Sequence, residues 1–201
     1  MSNAMENTRN GSFTYGDYCT WDDSQGQRWE LIDGWAYAMA APNATHQTIL
    51  LDFGIKFRQF LRGKMCKVFI APFDVRLNHD KGDDTVVQPD LLVVCDPAKI
   101  VDGKSARGAP DLVIEILSPS TAKHDRIVKF NKYRQAGVKE IWLVEPELGV
   151  VEVHKIGQDK LQHQFDAYLH TEKVVVGILP ELTIDLNDIF EQEAETETEA
   201  E

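Results

Sequence analysis

One short run of residues, Leu112–Leu117, constrains the fold of this chain more than any other segment. Five of its six residues are apolar, which is typical of a strand buried on both faces of a sheet. The sixth is Glu115, which shares a strand face with Val113 and Leu117 because alternate side chains of a strand point the same way. A buried carboxylate without a partner is costly, so Glu115 has to be paired, protonated or bound to a metal.

The segments around this run predict one mixed α/β domain, in which a mixed β-sheet is flanked by helices. Asp33-Gly34 suits a hairpin turn between two strands, and apolar residues at helical spacing predict a helix from about Asn43 to Leu61. A second helix is expected from about Thr121 to Ala136, where a glycine follows. Strand-like segments after Val144 predict an added β-meander that closes the domain.

The composition changes at both ends of the chain. Ser2-Asn3-Ala4 before Met5 is interpreted as a cloning remnant, and residues 1–12 as this tag scar with a flexible N-terminus. Residues 13–190 make up the predicted single domain. Six glutamates in residues 191–201 contribute half of the formal net charge of −12, and this segment is predicted to be a disordered acidic tail.

The number and spacing of the cysteines, together with the hydropathy of the chain, indicate its location in the cell. The chain has three cysteines without CxxC spacing, and Cys66 and Cys95 lie in apolar surroundings typical of small core residues. We therefore expect no disulfide. No apolar stretch approaches the roughly 20 residues that span a bilayer, and the N-terminus lacks the pattern of a signal peptide. These observations predict a cytoplasmic protein without a membrane partner.

A second carboxylate, Asp90, occupies an unusual place between Pro89 and another apolar run. If the strands that carry Asp90 and Glu115 are neighbours, the two side chains can converge on one point. Two hard oxygen donors so placed predict a Mg²⁺ or Mn²⁺ site. The alternative interpretation makes Asp90 a turn residue and pairs Glu115 with a nearby Lys or Arg. Perturbed buried carboxylates cluster at functional sites, which favours a functional role for Glu115.

Several blocks of the sequence resemble one family of nucleases. The blocks are WELIDG, VVQPDLLVV, DLVIEILSPST and DRIVKFNKYRQAGVKEIWLVEP, within about Trp29 to Val153. Together they resemble the Uma-two family of restriction endonucleases, a branch of the PD-(D/E)XK nuclease superfamily. The resemblance implies a restriction-endonuclease-like mixed sheet flanked by helices, divalent-metal binding and hydrolysis of phosphodiester bonds. Pro89-Asp90 matches the PD of the superfamily pattern, and Glu115 matches its second acid.

The match departs from the superfamily pattern at one position. The pattern places a lysine two residues after the second acid, where this chain has Leu117. The resemblance implies that Lys129, from the second predicted helix, replaces it. Asp125, Lys129 and Tyr133 are four residues apart and share a helix face, with Ile127 and Phe130 expected to pack against the domain. The alternative is an Asp125–Lys129 pair on the surface.

The resemblance also implies further site residues. Glu30 is similar to the accessory acid that members of the superfamily bring from an earlier element, and the backbone carbonyl of Ile116 is implied as a metal ligand. His46, in the first turn of the first helix, and Gln88, just before Pro89, are implied near the site. Taken alone, Glu30 could equally be an exposed strand residue and His46 a structural histidine.

These observations predict an endonuclease that depends on Mg²⁺ or Mn²⁺ and cleaves DNA, with a homodimer favoured for cutting both strands. The negative net charge of the chain disfavours binding of DNA through overall electrostatic attraction, so DNA contacts require local basic surfaces. Two groups are candidates: Lys56, Arg58, Arg62, Lys64 and Lys67, or Lys123, Arg126, Lys129 and Lys132. The alternative functions are an inactive nuclease-fold module that binds metal, nucleic acid or protein, and a hydrolase of smaller phosphate esters.

Overall fold

A computed structural model describes residues 12–21, 27–101, 103–157, 159 and 162–190. The predicted tag scar and the predicted acidic tail lie almost wholly outside these described residues.

The described residues form fourteen short strands and three α-helices. The helices are α1 (Tyr15–Tyr18), α2 (Ala44–Leu61) and α3 (Phe130–Ala136), and a π-helical segment, His124–Lys129, leads directly into α3. Three-residue 3₁₀ helices cover Pro97–Lys99, Pro146–Leu148 and Leu186–Asp188. The strands are β1 (Trp29–Ile32), β2 (Trp35–Ala38), β3 (Lys67–Ile70), β4 (Asp74–Arg76), β5 (Val86–Val87), β6 (Leu91–Val94), β7 (Ile100–Val101), β8 (Ser105–Arg107), β9 (Leu112–Ile116), β10 (Glu140–Glu145), β11 (Val150–Ile156), β12 (His163–Leu169), β13 (Lys173–Val175) and β14 (Thr183–Asp185).

The strands form two six-stranded sheets and one two-stranded ribbon. Sheet 1 has the order β2-β1-β5-β4-β8-β7, sheet 2 has the order β12-β11-β10-β9-β6-β3, and β13 pairs with β14. In sheet 2, β9 and β10 are parallel and the other neighbours are antiparallel. Of the three segments predicted as a meander, β11 and β12 pair with each other in sheet 2, whereas β13 pairs with β14 in the ribbon instead. The mixed α/β fold with a mixed sheet and flanking helices is confirmed.

The central strands of sheet 2, β6, β9 and β10, are covered on both faces, which explains their apolar sequences. One face packs against α2, through Phe53, Phe57 and the indole of Trp142 on β10. The other face packs against sheet 1 and α3, and Val113 belongs to this second core. Glu115 shares the face of Val113, so its side chain lies between sheet 2 and the layer formed by sheet 1 and α3.

The predicted first helix is confirmed, and its start determines where a site residue lies. Asn43 caps α2, since its side-chain oxygen accepts a hydrogen bond from the backbone N–H of His46 at 2.8 Å. The buried face of the helix carries Ile49 and Phe53, one turn apart. The cap therefore fixes the first turn, which carries His46, at the edge of sheet 2.

The predicted hairpin also forms, and it positions Glu30. Strands β1 and β2 pair directly across Asp33-Gly34, and both turn residues have positive φ, of 51° and 76°. Positive φ at both positions is the requirement of the type I′ turn, which matches the twist of antiparallel strands.

The second helix differs from the prediction in its first half. The chain is π-helical over His124–Lys129 before it becomes regular at α3, and Gly137 ends it with φ 101°. Ile127 was expected to pack against the domain, but it is 53% exposed, whereas Asp125 and Lys129 are buried. Ile127 is two residues from both Asp125 and Lys129, so it projects from the opposite side of the helix, and the prediction that it packs against the domain is wrong.

The prediction of a disulfide-free chain is wrong. Cys66 and Cys95 form a disulfide. The two residues flank β3 and β6, which pair with Lys67 opposite Val94, so the cysteines form the next cross-strand pair. Their apolar surroundings were inferred correctly, since both pack against the core. Their pairing depends on strand register, which their spacing in the sequence does not reveal.

No helix among the residues that the structure describes is both long enough and apolar enough to cross a bilayer.

We expect alkylation of the unfolded, unreduced protein to modify Cys19 and to leave Cys66 and Cys95 unmodified, because these two are joined. Mass spectrometry of the labelled protein counts the modified thiols. Reduction before alkylation is the control and should expose all three. Three modified thiols in protein from cells lysed in the alkylating reagent, without reductant, would contradict the disulfide.

Candidate functional site

The two strands that carry the predicted metal ligands are neighbours. Strands β6 and β9 are antiparallel, with Leu91 opposite Ile114. One step further along the same register places Asp90 opposite Glu115, and directly opposite residues share a face. The structure therefore brings Asp90 and Glu115 to the same side of sheet 2, as the metal hypothesis requires.

Glu115 is paired inside the protein. Its side chain is only 3% exposed, and its Oε1 lies 2.7 Å from Lys129 Nζ. The hydroxyl of Tyr133 donates a hydrogen bond to the same oxygen. Burial raises the pKa of Glu115 well above its ordinary value, and the nearby Lys129 ammonium opposes this shift. The alternative interpretation, in which Glu115 pairs with a basic residue, is therefore correct. Its partner is Lys129, the same lysine for which the resemblance implied a role at the site.

Lys129 lies among three carboxylates. Besides Glu115, its Nζ lies 3.0 Å from Glu30 Oε1 and 3.7 Å from Asp125 Oδ1. Burial alone would lower the pKa of Lys129, but the carboxylates of Glu115 and Glu30 raise it well above its ordinary value. Lys129 is consequently a fixed cation at neutral pH. The interpretation of Asp125–Lys129 as a surface pair is wrong, since both residues are buried.

Glu30 and Asp90 complete a group that we call the acid cluster, defined as Glu30, Asp90, Glu115 and Asp125. Glu30 is 4% exposed, so it is not the exposed strand residue of the alternative interpretation, and it accepts a hydrogen bond from the Gln88 backbone N–H at 2.8 Å. Asp90 Oδ2 accepts a hydrogen bond from the Ile116 backbone N–H at 2.7 Å. The role of the Ile116 carbonyl as a ligand stays a prediction.

Two histidines border the acid cluster. His46 Nε2 lies 3.1 Å from Asp90 Oδ2, and within the described structure its buried Nδ1 has no hydrogen-bond partner. His124 Nε2 lies 3.9 Å from Glu30 Oε2, and burial lowers the pKa of His124. His124 was not predicted, because its approach to Glu30 on β1 is a tertiary contact that no local sequence pattern indicates. Tyr133 was placed on the correct helix face without a role at the site.

The acid cluster has more negative charge than its surroundings neutralise. With all four carboxylates ionised, Lys129 would leave an excess of three negative charges. Burial also raises the pKa of Asp125, which shows that its ionised form is disfavoured. Buried charge of this kind is relieved by protons or by a cation.

The donor chemistry of Asp90 and Glu115 fits Mg²⁺ or Mn²⁺. Within the described ranges, no three His, Cys, Asp or Glu side chains are already arranged to ligate one ion. A magnesium ion is usually bound by only one or two carboxylates and takes its remaining ligands from water and substrate phosphate. Two carboxylates on neighbouring strands therefore suffice for such an ion.

Most of the basic residues that were expected to contact DNA are bound to acidic partners. Arg126 donates to the carboxylates of Glu152 at 2.7 Å and Glu145 at 2.5 Å, and Lys132 donates to Asp33 at 2.6 Å. In the other group, two lysines contact acids near the C-terminal end of the domain. The prediction of broad basic surfaces on these helices is therefore corrected: intramolecular acids neutralise much of their charge.

Comparisons with known proteins identify one family, one related protein and one similar fold. The family model Uma2, described as "Putative restriction endonuclease", matches residues 15–187. The "Uncharacterized protein slr1290" of Synechocystis sp. (strain ATCC 27184 / PCC 6803 / Kazusa) is 32% identical over 119 residues, which are 58% of this chain and 60% of that protein. A crystal structure described as "a putative nuclease belonging to DUF820 from Anabaena variabilis ATCC 29413" superposes with a TM-score of 0.71 at 19% identity. It covers 89% of this chain and 97% of its own, and at this identity the likeness shows the fold alone.

We expect Lys129→Met to lower the free energy of unfolding by about 3–5 kcal/mol, because it leaves Glu115 and Glu30 buried without their counter-ion. Lys132→Met is the matched control, since its partner Asp33 lies on the surface, and it should cost about 1 kcal/mol or less. Urea unfolding followed by circular dichroism measures both values. Equal losses would contradict a buried role for the Lys129 ammonium.

The stability of the metal-free protein should depend on pH through the acid cluster. Folding raises the pKa values of Glu115 and Asp125, so the stability that these groups contribute is full below their unfolded pKa values, about 4, and is lost as the pH rises toward the folded values. Asp125→Asn removes one of these charges. Its stability relative to the unsubstituted protein should therefore increase with pH above about 4.

Denaturant unfolding in chelator at several pH values tests this dependence. Asp166→Asn, on the exposed strand β12, is the control and should show a difference that does not change with pH. A pH-independent difference for Asp125→Asn as well would show that Asp125 is not destabilised by burial.

Proposed function

The chain belongs to the Uma2 family of restriction endonucleases and has a nuclease fold, and on this basis we propose that it is a divalent-metal-dependent endonuclease that hydrolyses phosphodiester bonds in DNA. One observation carries the proposal: the acid cluster, with Lys129 held among its carboxylates, lies where two neighbouring strands of sheet 2 place Asp90 opposite Glu115. A homodimer, which cutting both strands of a duplex favours, and a cytoplasmic location are part of the proposal.

Asp90 and Glu115 would hold the metal, Mg²⁺ or Mn²⁺. A bound ion of this type lowers the pKa of a coordinated water and offsets negative charge on the phosphate. Glu30, which reaches the cluster from β1, would accept hydrogen bonds from water or bind a further ion. His46 would act as a positioning residue, since its Nε2 contacts the Asp90 oxygen that also accepts from the Ile116 N–H.

Lys129 would orient the attacking water or help to deprotonate it. In the metal-free protein, the carboxylates of Glu115 and Glu30 raise the pKa of Lys129 and favour its ammonium form. A buried, fixed ammonium stabilises the negative charge that develops on the phosphate during hydrolysis. Tyr133 and Glu30 would hold the Lys129 ammonium and the Glu115 carboxylate in position. The Tyr133 hydroxyl donates to the Glu115 oxygen that Lys129 also contacts, and Glu30 contacts the ammonium directly.

The departure from the superfamily pattern has a structural explanation. Leu117, at the position of the usual lysine, is 3% exposed and packs in the core between sheet 2 and the layer that contains α3. The ammonium reaches Glu115 from the π-helical segment instead. We propose that Lys129 supplies the charge that the pattern otherwise assigns to the position of Leu117.

An inactive nuclease-fold module is the second candidate, and a specific observation favours it. The Lys129 ammonium already satisfies carboxylates of the acid cluster, as in a structural ion-pair network, and no three-residue metal site is arranged among the described residues. In this alternative the cluster stabilises the fold, and the protein binds nucleic acid, metal or another protein without cutting.

We expect the protein to cleave plasmid or single-stranded DNA in Mn²⁺ or Mg²⁺, and Glu115→Gln to reduce the rate by about 100-fold or more, because it removes a metal ligand and the partner of Lys129. Gel assays measure the cutting. Asp166→Asn is the matched carboxylate control and should retain the full rate, since the residue is exposed on β12.

Binding of Mn²⁺, followed by electron paramagnetic resonance, separates the two candidates. Binding that Asp90→Asn or Glu115→Gln abolishes, together with cleavage, supports the enzyme. Binding without cleavage of any DNA supports the inactive module. Cleavage that persists equally in Glu115→Gln would place the chemistry elsewhere or in a contaminant.

A further inference from the structure

A second polar site lies on the other side of sheet 1 from the acid cluster. It is a surface pocket of about 380 Å³, and Trp29, Gln88 and Asp74 are among the residues that line it. Leu31 pairs with Val86 in β1 and β5, so two steps further along the antiparallel register place Trp29 opposite Gln88. The pairing of β4 with β5 places Asp74 opposite Gln88 in the same way. These three side chains therefore share one face of three neighbouring strands.

This face is turned away from sheet 2. The alternating residues Ile32, Val75 and Val87 belong to the core between the two sheets, so Trp29, Gln88 and Asp74 point to the opposite side. The segment around α1 covers that side, and its Tyr18 and Trp21 form further walls of the pocket.

We propose that this pocket binds a nucleobase of the nucleic-acid strand held at the acid cluster. The inference rests on the proposed nuclease function, and it adds a substrate contact that the acid cluster does not provide.

The pocket has aromatic walls of the kind on which bases stack. The rings of Trp21 and Trp29 lie 6.1 Å apart at 72°, and those of Tyr18 and Trp21 lie 5.3 Å apart at 61°. Base–aromatic stacking is a main source of affinity for single-stranded nucleic acid. The volume is at the lower end of the range of small-molecule sites, about 300–1,000 Å³, which suits a single nucleotide better than a larger ligand.

One polar group of the pocket lacks the partner that its burial demands. Gln88 is 7% exposed, and its Nε2 donates to Tyr18 Oη and to Asp74 Oδ1, both at 3.0 Å. Its Oε1 is buried and has no donor among the residues that the structure describes. A buried acceptor without a donor is unfavourable. A base could satisfy this acceptor only if the Gln88 amide turned toward the pocket, where its Nε2 contacts with Tyr18 and Asp74 would be exchanged for contacts with the base.

The pocket also carries two basic side chains beside the single acid Asp74. Arg28 and Lys104 line it, and neither forms an ion pair within the described part of the chain. By contrast, Arg126 and Lys132 contact acids directly. Lysine and arginine beside a base site are suited to the phosphates that flank the base.

Gln88 connects this pocket with the acid cluster. Its side chain lines the pocket, while its backbone N–H donates to Glu30 Oε1, which lies 3.0 Å from Lys129 Nζ. A strand that passes the end of β1 can thus place a base on one side of sheet 1 and a phosphate on the other. The occupied pocket would fix the position of the strand relative to Lys129.

The test measures binding without cleavage. The probe is a single-stranded oligodeoxynucleotide of eight residues that is abasic except for one 2-aminopurine, titrated with the full protein in chelator. We expect the emission of 2-aminopurine to fall on binding, because the base stacks on tryptophan. In a fully abasic oligonucleotide of the same length, followed by a terminal fluorophore, we expect affinity to be about 5- to 150-fold lower.

Variants assign the effect to the pocket. Trp29→Ala should weaken binding of the base-containing oligonucleotide by about the same factor, and Trp29→Phe should restore most of the affinity because it keeps a stacking face. Trp35→Ala is the matched control: Trp35 is 45% exposed and lies on the opposite face of the hairpin, so affinity should not change. Circular dichroism confirms that each variant is folded.

Equal affinity of the base-containing and abasic oligonucleotides would overturn the proposal, and this comparison needs no variant. Equal effects of Trp29→Ala and Trp35→Ala would also overturn it, as would failure of both oligonucleotides to bind the folded protein, which would indicate a ligand other than nucleic acid. The cleavage assay with Glu115→Gln judges the nuclease function separately. Metal-dependent cutting together with equal affinity for the base-containing and abasic oligonucleotides would support the nuclease function and overturn only the proposed binding of a base in the pocket.

Discussion

The contact between Glu115 and Lys129 permits a carboxylate to lie at the centre of an apolar strand, and the arrangement of the whole site follows from it. Loss of either partner would leave a charge in the core of the domain without compensation. Glu30 and Asp125 face the same ammonium, so negative charge exceeds positive charge in this region. A structural ion pair has no need of these additional acids, whereas a site that receives protons or a divalent cation does.

The π-helical segment explains how a lysine so distant from the strand motif meets Glu115. π turns are rare and frequently occur at functional sites, since they redirect side chains relative to a regular helix. In this segment Asp125 and Lys129 are buried, whereas Ile127 is exposed. The same helix also brings Tyr133 to Glu115, so a single helical element contributes both the charge and the hydrogen bond that the carboxylate requires.

Much of this arrangement could be predicted from the sequence where local patterns determine it. The apolar run around Glu115, the capped helix after Asn43 and the Asp33-Gly34 turn all form, because propensity and burial agree in these segments. The proximity of Asp90 and Glu115 was predicted only on the condition that their strands are neighbours, and the pairing of β6 with β9 meets that condition. The features that the sequence concealed depend on tertiary contacts. Cys66 and Cys95 meet through strand register, and Arg126 is neutralised by acids from the meander.

The parallel pairing of β9 with β10 has a consequence for how the site assembles during folding. The π-helical segment and α3 are the crossover between these two strands, so Glu115 and Lys129 belong to one β–helix–β unit. Closing the loop between residues that are close in sequence costs less conformational entropy, so their contacts form more readily than contacts between distant residues. This unit can bring its ion pair together first, whereas Glu30 and Asp90 arrive from earlier parts of the chain. The last step in building the cluster is then the docking of sheet 1, which carries Glu30, onto a core that already contains the lysine.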